Sequence, residues 1–174
     1  MIIAETIVTG RLVLVPLDVG HADEMAVVLG DPALYAFTGG EPPTADVLRS
    51  RYSRMLAGSS EPAVSWCNWV IRMGAELVGT VQATVVPGDR GLVAEIAWVV
   101  GVPWQRRGIA GAAASGLVAW LDSQVAEIVA HVHPDHSASN GVARAVGMTP
   151  TDQTHDGEVL WRRSGSGDHA RPAG

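Results

Sequence analysis

The chain has 174 residues, enough for one domain with a real core. Apolar residues make up 47% and charged residues 17%, which excludes a disordered chain, and the single cysteine, Cys67, excludes a disulfide scaffold or a cysteine-based zinc finger. The net charge is −6, all 12 basic residues are arginine, and no basic stripe is visible, which argues against a nucleic-acid partner.

In chain order, Arg11 to Leu17 alternates apolar and β-branched residues and reads as a strand. Asp18 is placed to cap a helix carrying Ala22, Met25, Val28 and Leu29 on one face. A second helix is predicted from Thr44, with Val47, Leu48, Tyr52 and Met55 at helical spacing. Ser65–Arg72 and Glu76–Val86 flank Met73-Gly74-Ala75, a hairpin signal. Pro87-Gly88-Asp89 is read as the next turn, and Leu92–Val100 closes a three-stranded meander. The pattern then changes. A small-residue helix over Gly108–Ser123, a strand over Glu127–His133 and a helix over Ser137–Val146 follow. Gly147 is a C-cap for that last helix, and a hairpin of Met148–Gln153 with Glu158–Arg163 completes the fold. The order predicts an α/β domain over residues 1–163 with a mixed, mostly antiparallel sheet and about four helices. The Gly-, Ser- and Pro-rich residues 164–174 are expected to be a disordered tail.

No targeting segment is read at the start, where Glu5 interrupts the apolar residues and no basic region precedes them. Gly108–Leu121 is apolar but too short to span a bilayer. The expectation is a cytoplasmic protein with no membrane partner. A homodimer is left open by the sequence.

The most informative segment joins the Leu92–Val100 strand to the Gly108 helix. Small residues at Gly108, Ala110 and Gly111 let a ligand approach the helix start closely. The first amides of a helix lack internal partners and carry the positive end of its dipole, so such a turn suits phosphate. Arg106 and Arg107 add charge there. A solvated tight turn is the plain alternative. The segment has neither the Gly-x-Gly-x-x-Gly of a dinucleotide fold nor the Gly-Lys-Ser/Thr of a P-loop.

Gln105-Arg106-Arg107-Gly108-Ile109-Ala110 resembles the Gln/Arg-x-x-Gly-x-Gly/Ala signature of the GCN5-related N-acetyltransferases (GNAT). Thr9-Gly10-Arg11-Leu12-Val13-Leu14 resembles the opening of the RimJ/RimL-like branch of ribosomal-protein N-acetyltransferases. Glu76-Leu77-Val78-Gly79-Thr80 is similar to its third strand. Pro134-Asp135-His136-Ser137-Ala138-Ser139, with Val142 and Gly147-Met148, resembles the lead into its fourth helix. The resemblance covers roughly residues 9–163. It implies the GNAT fold, with the sheet splayed between the fourth and fifth predicted strands, those ending at Val100 and His133. It also implies acetyl-CoA as co-substrate and an amine acceptor. Pantetheine would pair with the backbone of Val99 and Val100. Gln105, Arg106, Arg107, Gly108, Ile109, Ala110 and Gly111 would hold the pyrophosphate, and His136 would contact pantetheine.

Acyl transfer to an amine needs a base for the ammonium proton, donors for the oxyanion, and a proton source for the thiolate. By resemblance Glu95 is the candidate base, acting through water, and the Val99 amide a candidate oxyanion donor. A glutamate amid apolar residues is partnered or functional, so an inert, hydrogen-bonded Glu95 is the alternative. Many relatives place a tyrosine acid one turn into the fourth helix; here that position is Ala143. Ser139 is taken as the acid instead, with capping of helix amides as its plain role. A non-catalytic acyl-CoA-binding or regulatory module of the same fold is the second functional reading. The loop Gly39-Gly40-Glu41-Pro42-Pro43 with Asp46 lies where relatives bind acceptor, and its acidity favours a cationic one.

His131-Val132-His133-Pro134-Asp135-His136 also resembles the His-x-His-x-Asp-His zinc signature of metallo-β-lactamase-fold hydrolases. Too little chain follows it to complete such a site, so no metal is assigned. Cys67 reads as a packed thiol rather than an acetyl carrier, and Trp98 and Trp104 flank the cofactor turn.

Overall fold

The computed structural model describes residues 1–167. The chain forms β1 (Ile7–Thr9), β2 (Leu12–Pro16), α1 (Ala22–Val28), α2 (Ala45–Ala57), β3 (Ser65–Met73), β4 (Glu76–Gly88) and β5 (Gly91–Val100). It continues through α3 (Ile109–Leu121), β6 (Glu127–Val132), α4 (Ser137–Ala145), β7 (Thr149–His155) and β8 (Glu158–Ser164). The strands make one open sheet in the order β1-β2-β3-β4-β5-β6-β8-β7. Only the β5–β6 pair is parallel, as the intervening α3 crossover requires. The expected α/β architecture with a mostly antiparallel sheet and four helices is therefore present.

Local chemistry explains most element ends. Asp18 accepts from Gly20 N (2.7 Å), and His21 Nδ1 accepts from Asp18 N (3.0 Å), so both sides of a capping box close the start of the α1 region. Thr44 Oγ1 accepts from Val47 N (3.2 Å) at the start of α2. Gly74 sits at φ +62° in the two-residue β3–β4 turn.

The structure adds to the sequence expectations in two places and changes them in two. The short strand β1, to which the sequence pattern assigns no element, turns back at Gly10 (φ +57°) to pair with β2. Pro87 and Gly88 are not in a turn. The β4–β5 ladder runs on to Gly88 opposite Gly91, leaving Asp89 and Arg90 as the turn. The last hairpin enters the sheet through its second strand, so β8 lies beside β6 and β7 forms the edge. Ser164 ends β8, and Gly165 N and Ser166 N bond to Ala126 O (2.9 Å) and Asp122 O (2.8 Å), so the start of the expected tail is fastened. The rest of that tail, 168–174, lies outside the described residues.

Two cores form on opposite faces of the sheet. On one, α3 and α4 pack through Ile109, Ala113, Leu117, Leu121 and Ala143 against residues such as Leu12, Ile71, Ala94, Ile96 and Ile128. On the other, α1 and α2 pack through Met25, Val28, Leu48 and Tyr52 over Val70 and Leu77. Gly116 lets α3 press onto β1, since a Cβ there would lie 2.8 Å from the Thr9 side chain. Among the described residues no helix is long and apolar enough to cross a membrane.

Candidate active site

The sheet opens in its middle. The β5–β6 ladder pairs only Val93, Ala94 and Glu95 with Glu127, Ile128 and Val129. Beyond it β5 runs on to Val100 and β6 to Val132 without pairing. This is the expected splay between the fourth and fifth predicted strands, now β5 and β6. The backbone groups that face the gap follow from strand alternation. Leu92 O accepts from Ala126 N on the β6 side, and Gly101 N donates to Val78 O on the β4 side. The β4–β5 register has no irregularity between them, so even-numbered residues of β5 turn their N–H and C=O toward β6. Trp98 and Val100 therefore present backbone groups to the gap. Val99, expected from the sequence to do so, turns its backbone toward β4; its side chain is exposed on the α1–α2 face. Gly79 makes this stretch of ladder possible, because a Cβ there would lie 2.2 Å from Val99 O.

At the end of β5 the chain makes a single 3₁₀ turn, Val102–Trp104, then two residues in the left-handed region, Arg106 (φ +62°) and Gly108 (φ +73°), before α3 starts at Ile109. Glycine meets that requirement at Gly108 without strain. No side chain caps α3, so its first amides are free. Gln105 is exposed, but its Nε2 donates to Val100 O (3.0 Å) and braces the turn against the strand. The Thr9–Arg11 segment acts as a second brace. Arg11 Nη2 donates to Arg107 O (2.9 Å), and Thr9 Oγ1 to Ala112 O (3.3 Å). Arg106 and Arg107 are exposed and have no ion pair among the described residues, so their charge is available to an anion at the α3 N-terminus.

Glu95 stands at the last paired position before the splay, on the face away from α3. Its side chain is 52% exposed, and its Oε1 lies 2.7 Å from His131 Nδ1 across the opening. An ionised carboxylate only accepts, so Nδ1 carries the proton in this contact and Nε2 is left to accept in the neutral ring. The His155 ring lies 6.1 Å from that of His131. Glu95 is legible in the sequence but its partner is not, because His131 lies 36 positions away on another strand.

On the other side of the gap His136 ends the turn into α4. Its Nδ1 accepts from Ser139 N (3.3 Å), which makes it the N-cap of the helix. Burial pushes its pKa below the ordinary imidazole value, the charge of nearby His133 adds to that, and its own backbone hydrogen bond opposes it. Phe37, from the segment before α2, stacks on His136 (4.6 Å between centroids) and tilts against His133 (5.1 Å). Ser139 Oγ accepts from Trp98 Nε1 (3.3 Å) and lies 3.3 Å from His136 Nε2. Trp nitrogen can only donate, so the serine oxygen is occupied as an acceptor and its own proton is free to point elsewhere. Ala143, at the family's tyrosine position, is fully buried in the core.

The remaining candidates have local roles. His133 Nδ1 accepts from Asp135 N (3.1 Å). Among the described residues no group of three or more His, Cys, Asp or Glu side chains is placed to hold a metal ion. Burial pushes the Cys67 thiol up to about 11, and its sulfur contacts Ile2 O (3.4 Å), which is the behaviour of a packed thiol. Asp46 is engaged by Arg49, which also holds Asp23 (2.6 Å).

A strand that parts from its neighbour beside an uncapped helix start matches the arrangement that the GNAT resemblance implies for an acyltransferase using a CoA thioester. The model of the acetyltransferase (GNAT) domain matches residues 11–149, and the chain belongs to that family; acetyl-CoA is its co-substrate. No curated protein matches the chain. Solved structures with the same fold include RimL, a ribosomal L7/L12 alpha-N-protein acetyltransferase in complex with coenzyme A, at 18% identity and a TM-score of 0.78. That comparison covers 94% of this chain and 100% of the other. A ribosomal-protein-S5-alanine acetyltransferase from Vibrio fischeri also has a TM-score of 0.78, at 12% identity, over 95% and 100% of the two chains. Mycobacterium smegmatis RimJ in complex with CoA-disulfide has a TM-score of 0.75 at 20% identity, over 92% and 87%.

Proposed function

We propose that the protein moves the acetyl group of acetyl-CoA to a primary amine by direct attack within a ternary complex. The observation that carries this reading is the end of the β5–β6 ladder at Glu95, with a phosphate turn at the far end of the same strand. The α3 amides from Ile109 to Gly111, with Arg106, Arg107 and Gly108, bind the pyrophosphate. Pantetheine runs along the gap and pairs with Trp98 and Val100, and His136 borders it. The acceptor approaches from the Glu95 face.

Glu95 takes the ammonium proton through water, and His131 fixes its carboxylate across the opening. The amine lone pair attacks the thioester carbonyl, forming the N–C bond. A gap-facing amide of Trp98 or Val100 receives the oxyanion. The C–S bond then breaks; Ser139, whose oxygen Trp98 holds, gives its proton to the sulfur and regains one through water from the nitrogen of the collapsing intermediate, so CoA leaves as a thiol and the product as a neutral amide.

Ala143 at the tyrosine position is the one feature that favours the second reading, a non-catalytic acyl-CoA-binding module. Thiol release from acetyl-CoA, followed with free-N-terminal peptides and small amines, separates the two. Amine-dependent release with an N-acetyl product is expected. Tight CoA binding with no turnover on any amine would establish the module instead.

A further inference from the structure

A cavity of about 240 Å³ lies between the α1–α2 layer and the sheet. Asn68, Gln82 and Val99 form part of its sheet side; Tyr35, Arg51 and Tyr52 are on its helical side. It shares the face of the sheet that carries Glu95. Val99 and Glu95 alternate onto the same side of β5, and Gln82 lies two positions from Thr84, the cross-strand partner of Glu95. The cavity therefore belongs to the acceptor side of the gap.

Its charge is one-sided. None of its lining residues is acidic, and Arg51 is its only charged one. Among the described residues Arg51 has no ion pair. Its guanidinium is close enough to Tyr35 and Tyr52 to pull both phenols down, against the larger upward push of burial. Tyr52 is only 3% exposed, and its hydroxyl is buried without a hydrogen-bond partner among the described residues. That hydroxyl is closed off from the cavity space as well as from bulk water, so the unpaired Arg51 guanidinium is the charged donor that the cavity wall offers, and it lacks an acceptor. The acidic residues expected to attract a cation, Glu41 and Asp46, do not line the cavity, and Asp46 is held by Arg49.

We propose that the acceptor is an amino-acid-sized primary amine that also bears a carboxylate, held by Arg51 with its amine directed toward the Glu95 face. This rests on the acetyl-transfer reading and narrows its acceptor. A guanidinium fork matches a carboxylate in a bidentate way and repels a polyamine placed in the same space. The cavity volume is below the range of drug-sized sites, which suits a molecule of amino-acid size.

The test measures kcat/KM with acetyl-CoA for a panel of free amino acids, their carboxamides, a C-terminally amidated peptide and spermidine. The best amino acid should exceed its own carboxamide by about tenfold, the loss of one charge-assisted contact. In Arg51→Gln that ratio should collapse toward one through a raised KM, with the acetyl-CoA dissociation constant unchanged. Arg51→Lys should keep part of the preference. A free amino acid should no longer raise the melting temperature of the CoA complex in Arg51→Gln. Preference for carboxamides, the amidated peptide or spermidine overturns the acceptor class and leaves acetyl transfer standing, as does an acid-to-amide ratio that Arg51→Gln does not alter. Absence of turnover with every amine overturns both.

Discussion

The two faces of β5 are built on opposite rules. Toward α3, Ala94, Ile96 and Val100 are buried in a continuous apolar core, and the turn that follows offers only backbone and two free arginines. Toward α1 and α2, the same strand carries Glu95, Ala97 and Val99, and Val99 borders a mainly apolar cavity with one charged residue, Arg51. In the proposed reaction the first face serves the co-substrate, which backbone amides can hold, and the second the acceptor, which only side chains can distinguish. One strand thus separates the shared half of the reaction from the particular half.

The sharpest way to break this division is Glu95→Gln, which removes the proton acceptor on the acceptor face and keeps its shape. Turnover should fall about 10²-fold, within the usual range for a general base, while acetyl-CoA binding changes little. Equal loss of binding and turnover would mean that Glu95 acts on the co-substrate side, and wild-type turnover would make it structural.

The converse variant is Gly108→Val. The residue has φ +73°, and a side chain there obstructs close approach of the pyrophosphate. Calorimetry should show acetyl-CoA binding weakened by about tenfold or more, the worth of one charge-assisted hydrogen bond. Circular dichroism checks that the fold is intact. Unchanged affinity would remove the phosphate assignment from this turn.

A smaller effect is expected at Ser139, across the gap. Ser139→Ala should lower turnover by roughly tenfold, below the usual acid–base range because a thiolate leaves without full protonation. Trp98→Phe should reproduce part of that loss by freeing the serine oxygen from its donor. If Trp98→Phe lowers turnover while Ser139→Ala does not, the tryptophan acts through packing.

The smallest effect is a pH dependence. His136 caps α4 through an unprotonated Nδ1, and burial holds its native pKa below the ordinary value of 6.5. The unfolded chain therefore takes up the proton at a higher pH than the native state. The stability tied to the cap is complete above the unfolded pKa and is lost as pH falls through the native one. A cap is worth ~1 kcal/mol, so the melting temperature should lose a few degrees over that window beyond what His136→Asn loses. Parallel acid curves for the two proteins would show that His136 carries no such linkage.

The co-substrate half was legible because its signals are local. Gln105 to Gly111 stand together, and the β-strand and helix on either side follow from simple periodicity. Even there the sequence gives residues before geometry. Gln105 braces the turn, and the Thr9 and Arg11 of the opening motif act by fastening α3 and the Arg107 carbonyl. The exchange of Val99 for Trp98 as a gap-facing backbone depends on which edge of β5 meets β4, which only the register decides. The acceptor half was scarcely legible. His131 is 36 positions from Glu95, and Arg51 and Gln82 meet at one cavity through packing of α2 on the sheet. The acidic loop, by contrast, was visible in sequence as charge, but its Asp46 is neutralised by an arginine one helical turn away.

The central claim is tested most directly by incubating the purified protein with acetyl-CoA and amines in chelator, and following thiol release and N-acetyl product together. Amine-dependent release, one thiol per acetylated amine, is the predicted result, with the wild-type rate lost in Glu95→Gln. Thiol release that is independent of amine, or activity that disappears in chelator and returns with zinc, would contradict direct acetyl transfer across this gap.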